Sequence, residues 1–288
     1  MPADTDHARI IEALGDSHER RLLDALQRLE ERIAGIGMGA PMTDGKLFDL
    51  QYAVNARQAI VEAMTDEYLS EVDSIVRDYD RALESAVTML NEFEIFAEVD
   101  PAIVNQLQRV SFQGFQDIAS TFSDELANEL YQNTLVGRSA SDSIRNMRQR
   151  INGVYMQSDQ VEIQRLVDLA ASGDEAAASE LRRVYASDRA GRNMRRYATQ
   201  QVHDSLMQFD AGVNMAAARD VGAEKFKYYG SVVRDSRPWC VRHAGKTYTV
   251  DEINELWGEN DWAGKAPGDP FTTRGGYNCR HHWRPSFD

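Results

Sequence analysis

From Pro101 to Pro238 the chain runs without a single proline. Proline ends helices because it lacks a backbone N–H and its ring collides with the preceding turn, so its absence over such a span leaves helices free to extend. Apolar residues recur through the stretch at steps of three and four, the spacing that gathers side chains on one helix face. Ile103, Leu107, Val110, Ile118, Phe122 and Leu126 form the first stripe, and Asp100-Pro101 suits its start because proline at the first helical position loses no needed donor. Gly137, Gly153 and Gly173 then punctuate shorter helices, with Ser139 or Ser141 placed to cap the one carrying Ile144, Met147 and Ile151. A last helix uses Met194, Tyr197, Val202, Leu206, Phe209 and Val213 and ends near Gly222.

The same period is present earlier. Leu22, Leu26, Leu29, Ile33 and Ile36 mark an amphipathic helix, and Gly35, Gly37, Gly39 and Pro41 predict a hinge over residues 35 to 45. Leu69, Val72, Val76, Tyr79, Leu83, Val87 and Leu90 mark another long helix that reaches about residue 98. The ordinary account of all these stripes is packing.

Composition narrows the possibilities. With 288 residues, 42% of them hydrophobic and 27% charged, the chain is expected to fold around one large or two smaller cores. No run of eighteen apolar residues occurs, and the first residues lack the basic-then-apolar layout of a signal peptide, so neither membrane insertion nor export is expected. Two cysteines are too few for a secreted disulfide scaffold and point to a reducing compartment. A net charge of −14 opposes general binding to nucleic acid, leaving room only for a local contact.

The character changes after Gly222. Phe226, Tyr228, Gly230 and Val232 alternate with Lys225, Lys227, Tyr229 and Ser231, the period of a strand. Residues 225–288 hold all four tryptophans, both cysteines and three of the six histidines, with ten Lys and Arg against eight Asp and Glu. The expected fold is therefore a mainly α N-terminal region joined to a small α+β C-terminal Cys/His module. Residues 1–45 form the amphipathic helix and hinge, 46–222 a helical domain, and 223–288 the module.

Within the module Cys240 and His243 are two residues apart, and Cys279 is followed by His281 and His282, so each end offers a chelating pair. Zinc takes thiolate sulfur and imidazole nitrogen in a tetrahedron, and the two pairs can close a structural Cys2His2 site. Symmetry of spacing favours His282 as the fourth ligand. A disulfide between Cys240 and Cys279, or two free thiols in an aromatic core, are the alternatives. Thr249 with Glu252 has the pattern of a capping box, opening a short helix through Ile253, Leu256 and Trp257.

The tail SVVRDSRPWCVRHAGKTYTVDEI, followed by YNCRHHWRP, resembles the C-terminal domain of the phage Mu F-like minor head proteins, the phage head morphogenesis family. The matching features are Asp235 and Arg237 ahead of a Cys/His pair, Gly245 beyond it, and Asn278-Cys279-Arg280 followed by Pro285. Upstream, LVGRSASDSIRNMRQRI and the helix beginning at Asn193 are similar to the family's approach to this motif, so the resemblance covers roughly residues 130 to 288. Two departures stand out: Ala198-Thr199-Gln200-Gln201 replaces the family's frequent Ala-Arg-Thr-Glu, and His281 replaces the second cysteine of its Cys-Arg-Cys, which favours His281 as ligand. The resemblance implies a low-copy, non-enzymatic component of a tailed-phage head, made in the host cytoplasm. It would reside in the virion at the capsid interior or portal vertex, bind portal and capsid proteins, and assist head assembly, DNA packaging or delivery.

A metal-dependent DNA-processing enzyme, a nuclease, is the alternative, since His, Asp and Asn near a zinc site also describe small nucleases. A coiled-coil scaffold is a third possibility. The H-x-E and P-C-x-x-C signature of zinc deaminases is absent around Cys240 and His243. Arg182, Arg183, Arg189, Arg192, Arg195 and Arg196 form the one local patch suited to DNA, although an ion-paired solvated face is the commoner role of such a cluster.

Overall fold

A computed structural model describes residues 2–44, 46–47, 49–92, 98–153, 193–234, 236–277 and 279–286. The described elements are α1 (Pro2–Met38), β1 (Met42–Thr43), β2 (Lys46–Leu47), α2 (Leu50–Ala63), a π-helical segment (Met64–Leu69), α3 (Ser70–Arg77), α4 (Tyr79–Glu92), α5 (Pro101–Leu135), α6 (Ala140–Asn152), α7 (Met194–Asp220), β3 (Lys225–Tyr229), α8 (Pro238–His243), β4 (Thr247–Thr249), α9 (Val250–Glu259), α10 (Pro270–Thr273) and β5 (His282–Ser286). The fold is mainly α with a small antiparallel sheet near the C-terminus, as the periodicities predict.

Residues group into two compact units, one of Met1–Arg21, Glu71–Phe115 and Thr199–Asp288, the other of Leu22–Ser70 and Gln116–Ala198. These units cut across the boundaries drawn at 45 and 222, because α1, α5 and α7 each contribute residues to both. Residues 223–288 share their unit with the start of α1.

In the second unit Leu22, Leu26, Leu29 and Ile33 are fully buried, as are Ile60, Tyr68, Leu126, Leu130, Met147 and Ile151. The π-helical segment presents consecutive acids to α1, where Arg32 pairs with Asp66 at 2.8 Å and with Glu67 at 3.4 Å, and Arg28 pairs with Glu67 at 3.2 Å. The break expected over residues 35 to 45 begins only after Met38: α1 continues through Gly35 and Gly37, and the chain turns at Gly39 and Ala40. At Gly37 a Cβ would stand 2.8 Å from Ile144 and 2.9 Å from Met147, so this glycine serves close packing against α6. Ser139 caps α6 by accepting from the Asp142 amide.

The first unit joins helices to the sheet. Asp100 caps α5 by accepting from the Ala102 amide at 2.8 Å, but Ile103 and Val110 of the expected stripe are exposed. Tyr79 on α4 is fully buried, with its hydroxyl 2.6 Å from Ser205 on α7. The sheet has the order β4-β3-β5, with Phe226 opposite Tyr248 on one side and Tyr228 opposite Trp283 on the other. Alternation along β3 buries Phe226 and Tyr228 in a core with Trp239, Ile253, Trp257, Phe271 and Trp283. The strand ends at Tyr229, short of the predicted Val232, which is half exposed. Gly230 (φ +148°) turns the chain away where a Cβ would lie 2.4 Å from the His281 ring.

Candidate metal centre

Three short local structures carry the sulfur and nitrogen atoms. Pro238 opens α8 at the position where a missing N–H costs nothing, which places Cys240 in the core, 2% exposed. Asp269 caps α10 by accepting from the Thr272 amide, and the following turn, through Arg274 (φ +56°) and Gly276 (φ +102°), delivers Cys279. Gly276 is required there, because a Cβ would come within 2.0 Å of the Gly264 carbonyl oxygen. His281 then precedes β5, its ring stacked on Tyr228 at 5.2 Å between centroids and 10° between planes.

Cys240, Cys279 and His281 form a buried group that can hold a metal ion, their ligand atoms all lying within 4.8 Å of one another. The two sulfurs are 3.8 Å apart and the cysteines are free, so no disulfide links them. Nδ1 of His281 is also 3.8 Å from Cys279 Sγ. The hydrogen bond from Cys240 draws the Cys279 thiol below the ordinary thiol range, burial opposes this, and His281, the Arg274 guanidinium and the Tyr228 hydroxyl assist. Cys240 is pushed up by the proton it shares with Cys279, by burial and by the Cys279 charge.

His243 and His282 lie outside this group, which corrects the expectation of a C-x2-H chelate. The His243 ring packs on Trp239 with centroids 4.1 Å apart, and its Nδ1 is 2.8 Å from the Tyr248 hydroxyl. Burial, with Lys246 and Arg242 nearby, lowers its pKa. His282 stands opposite Tyr229 in the pairing of β3 with β5 and stacks on its ring, whereas the His281 ring stacks on Tyr228, so the two histidines lie beside different residues of β3. On its own side His282 is lowered to about 4, first by burial, with Asp210 opposing and His7 and Arg274 adding.

Sequence reasoning missed Tyr228 at this centre, reading it only as a core position of β3; its hydroxyl is 3.6 Å from Cys240 Sγ and 3.5 Å from Cys279 Sγ. Asp235 and Asn278 of the tail motif, and Arg182, Arg183, Arg189 and Arg192 of the basic patch, lie outside the described residues. Arg195 and Arg196 begin α7, where Arg196 is exposed. Among the described residues no helix is long and apolar enough to cross a membrane.

Comparison of the chain with protein families, with curated proteins and with solved structures finds no match in any of the three.

Proposed function

We propose that this chain is a non-enzymatic minor head protein of a tailed phage, whose long helices dock on portal or capsid partners and whose C-terminal sheet is pinned by a structural zinc ion. The observation that carries the zinc is the spacing of its ligands. Sulfurs bound about 2.3 Å from a tetrahedral zinc stand about 3.8 Å apart, and a sulfur and an imidazole nitrogen about 3.6 Å apart. Cys240 and Cys279 are at 3.8 Å, and Cys279 and His281 at 3.8 Å. All three side chains are 5% exposed or less, which suits a closed structural ion better than one that must exchange water with a substrate. The phage assignment is supported by the two-part tail motif around Cys240 and Cys279.

A metal-dependent DNA-processing enzyme is the second reading, favoured by one feature: the group supplies three protein ligands, the number a catalytic zinc retains. Against it stand the burial of the group and, among the described residues, the absence of a carboxylate from it. Quantitative mass spectrometry of purified particles of the encoding phage tests the leading reading. The chain should be present at a few copies per portal ring, and its absence from mature particles and from assembling heads would refute the assignment.

A further inference from the structure

We propose that the Tyr228 phenolate is the fourth ligand of the metal centre, closing a tetrahedron with Cys240, Cys279 and His281. The inference rests on the metal reading above and adds a residue to it. A phenolate oxygen about 2.0 Å from a tetrahedral ion would stand about 3.5 Å from each sulfur bound at about 2.3 Å. The Tyr228 hydroxyl stands 3.6 Å from one sulfur and 3.5 Å from the other. One oxygen thus stands at nearly the same distance from both sulfurs.

The surroundings hold that oxygen in place. Tyr228 is fully buried, its ring stacked on His281 and 4.5 Å from the Trp283 ring. Its strand is fixed on both sides, by pairing of Tyr228 with Trp283 on β5 and by the Gly245 amide donating to the Tyr228 carbonyl at 2.7 Å. Gly275 covers the face formed by the two sulfurs and the hydroxyl. A Cβ there would lie 2.5 Å from Cys240 Sγ, 2.8 Å from Cys279 Sγ and 2.9 Å from the Tyr228 oxygen. Backbone without a side chain fits against those three atoms, and the same backbone blocks water from that face.

Charge is consistent with this ligand set. A divalent ion with two thiolates and one phenolate carries a net −1, and the buried Arg274 guanidinium, which also faces Asp204 at 4.0 Å, acts on Cys279 from nearby. On metal binding the phenol would give up its proton to solvent, as coordinating thiols do beside a dication.

Zinc titration of the metal-free full-length protein, followed by ultraviolet difference spectroscopy, tests the assignment. Binding in the wild type should produce the difference spectrum of one ionised tyrosine, absent from Tyr228→Phe. That variant keeps the stacked ring, and it should lose more zinc affinity than the roughly 10- to 100-fold typical of an outer partner. Zinc uptake by the wild type without a tyrosinate signal overturns the Tyr228 assignment and leaves the metal reading standing. Failure of the wild type to take up zinc at all overturns both.

Discussion

His7 and Asp210, 203 positions apart in sequence, meet at 2.9 Å with each side chain only 1% exposed. Ser85 holds the other ring nitrogen of His7 at 2.8 Å. Burial alone would lower the His7 pKa, but the Asp210 charge and hydrogen bond outweigh it and leave the pKa raised. For Asp210 burial acts upward, and His7, followed by His282 and Arg274, brings the net shift down. The pair thus ties the start of α1 to α7 within one unit.

Truncating one partner strands a charge in a dry site, so His7→Ala should destabilise the protein by about 3–5 kcal/mol. Asp210→Leu together with His7→Phe should cost less than either single change, because both charges leave together. Urea unfolding of the full chain measures both. A loss under about 1 kcal/mol for His7→Ala would mean that the pair is exchanging with solvent.

His18 gives a pH dependence of defined sign. Burial lowers its pKa to about 4; Asp78 opposes this, and Arg21 and Arg81 add to it. A histidine depressed in the folded state favours folding fully above its unfolded pKa of about 6.5, and this stability is lost as pH falls toward the folded value. The contribution is on the order of 3 kcal/mol between those limits. Melting curves from pH 7 to pH 4 should flatten in His18→Asn relative to wild type. Parallel curves for the two proteins would show that His18 already reaches water.

Gly276 has both a left-handed backbone (φ +102°) and a carbonyl oxygen where its Cβ would be. Strained backbone of this kind costs about 1–3 kcal/mol before any clash. Gly276→Ala should therefore destabilise the sheet by at least about 2 kcal/mol, seen in the fluorescence of the four tryptophans, all of which lie at 239 or beyond. The same change at Gly258, where a Cβ would meet nothing within 4 Å, should not weaken the fold.

Features decided by a few neighbouring residues were legible in the sequence. The Thr249–Glu252 capping box forms in both directions, and Asp100-Pro101 starts a helix, because each depends on residues within one turn. Features decided by distant neighbours were not. Gly37 reads as a helix breaker until Ile144 and Met147 pack against it. His243 reads as a partner of Cys240 until β4 brings Tyr248 to its ring. Choosing between His281 and His282 needs the register of β5 on β3, which sets His282 opposite Tyr229. His7 and Asp210 carry no sequence signal at all.

Phosphodiester hydrolysis needs an activated water and an open metal position. If Tyr228 closes the buried Cys240, Cys279 and His281 group, no position is left for water, so purified protein should leave linear and supercoiled DNA intact in magnesium, manganese or zinc. Cleavage lost in Cys279→Ser would identify the centre as catalytic.

The ligand set makes the sharpest prediction. Cys240→Ser, Cys279→Ser and His281→Ala each remove an atom of the buried group, and each should abolish zinc retention during purification. His243→Ala should keep stoichiometric zinc, because its nitrogen is engaged by Tyr248 and its ring by Trp239. His282→Ala should keep it as well, since that side chain lies on the opposite side of the sheet. Elemental analysis of the five variants beside wild type reads the result directly. Zinc at about 100 times its dissociation constant should also stabilise the wild type by about 2.7 kcal/mol and leave Cys279→Ser unmoved. If His243→Ala loses the metal while His281→Ala keeps it, the spacing-based Cys240–His243 chelate is the true one, and the geometry at His281 serves only packing against Tyr228.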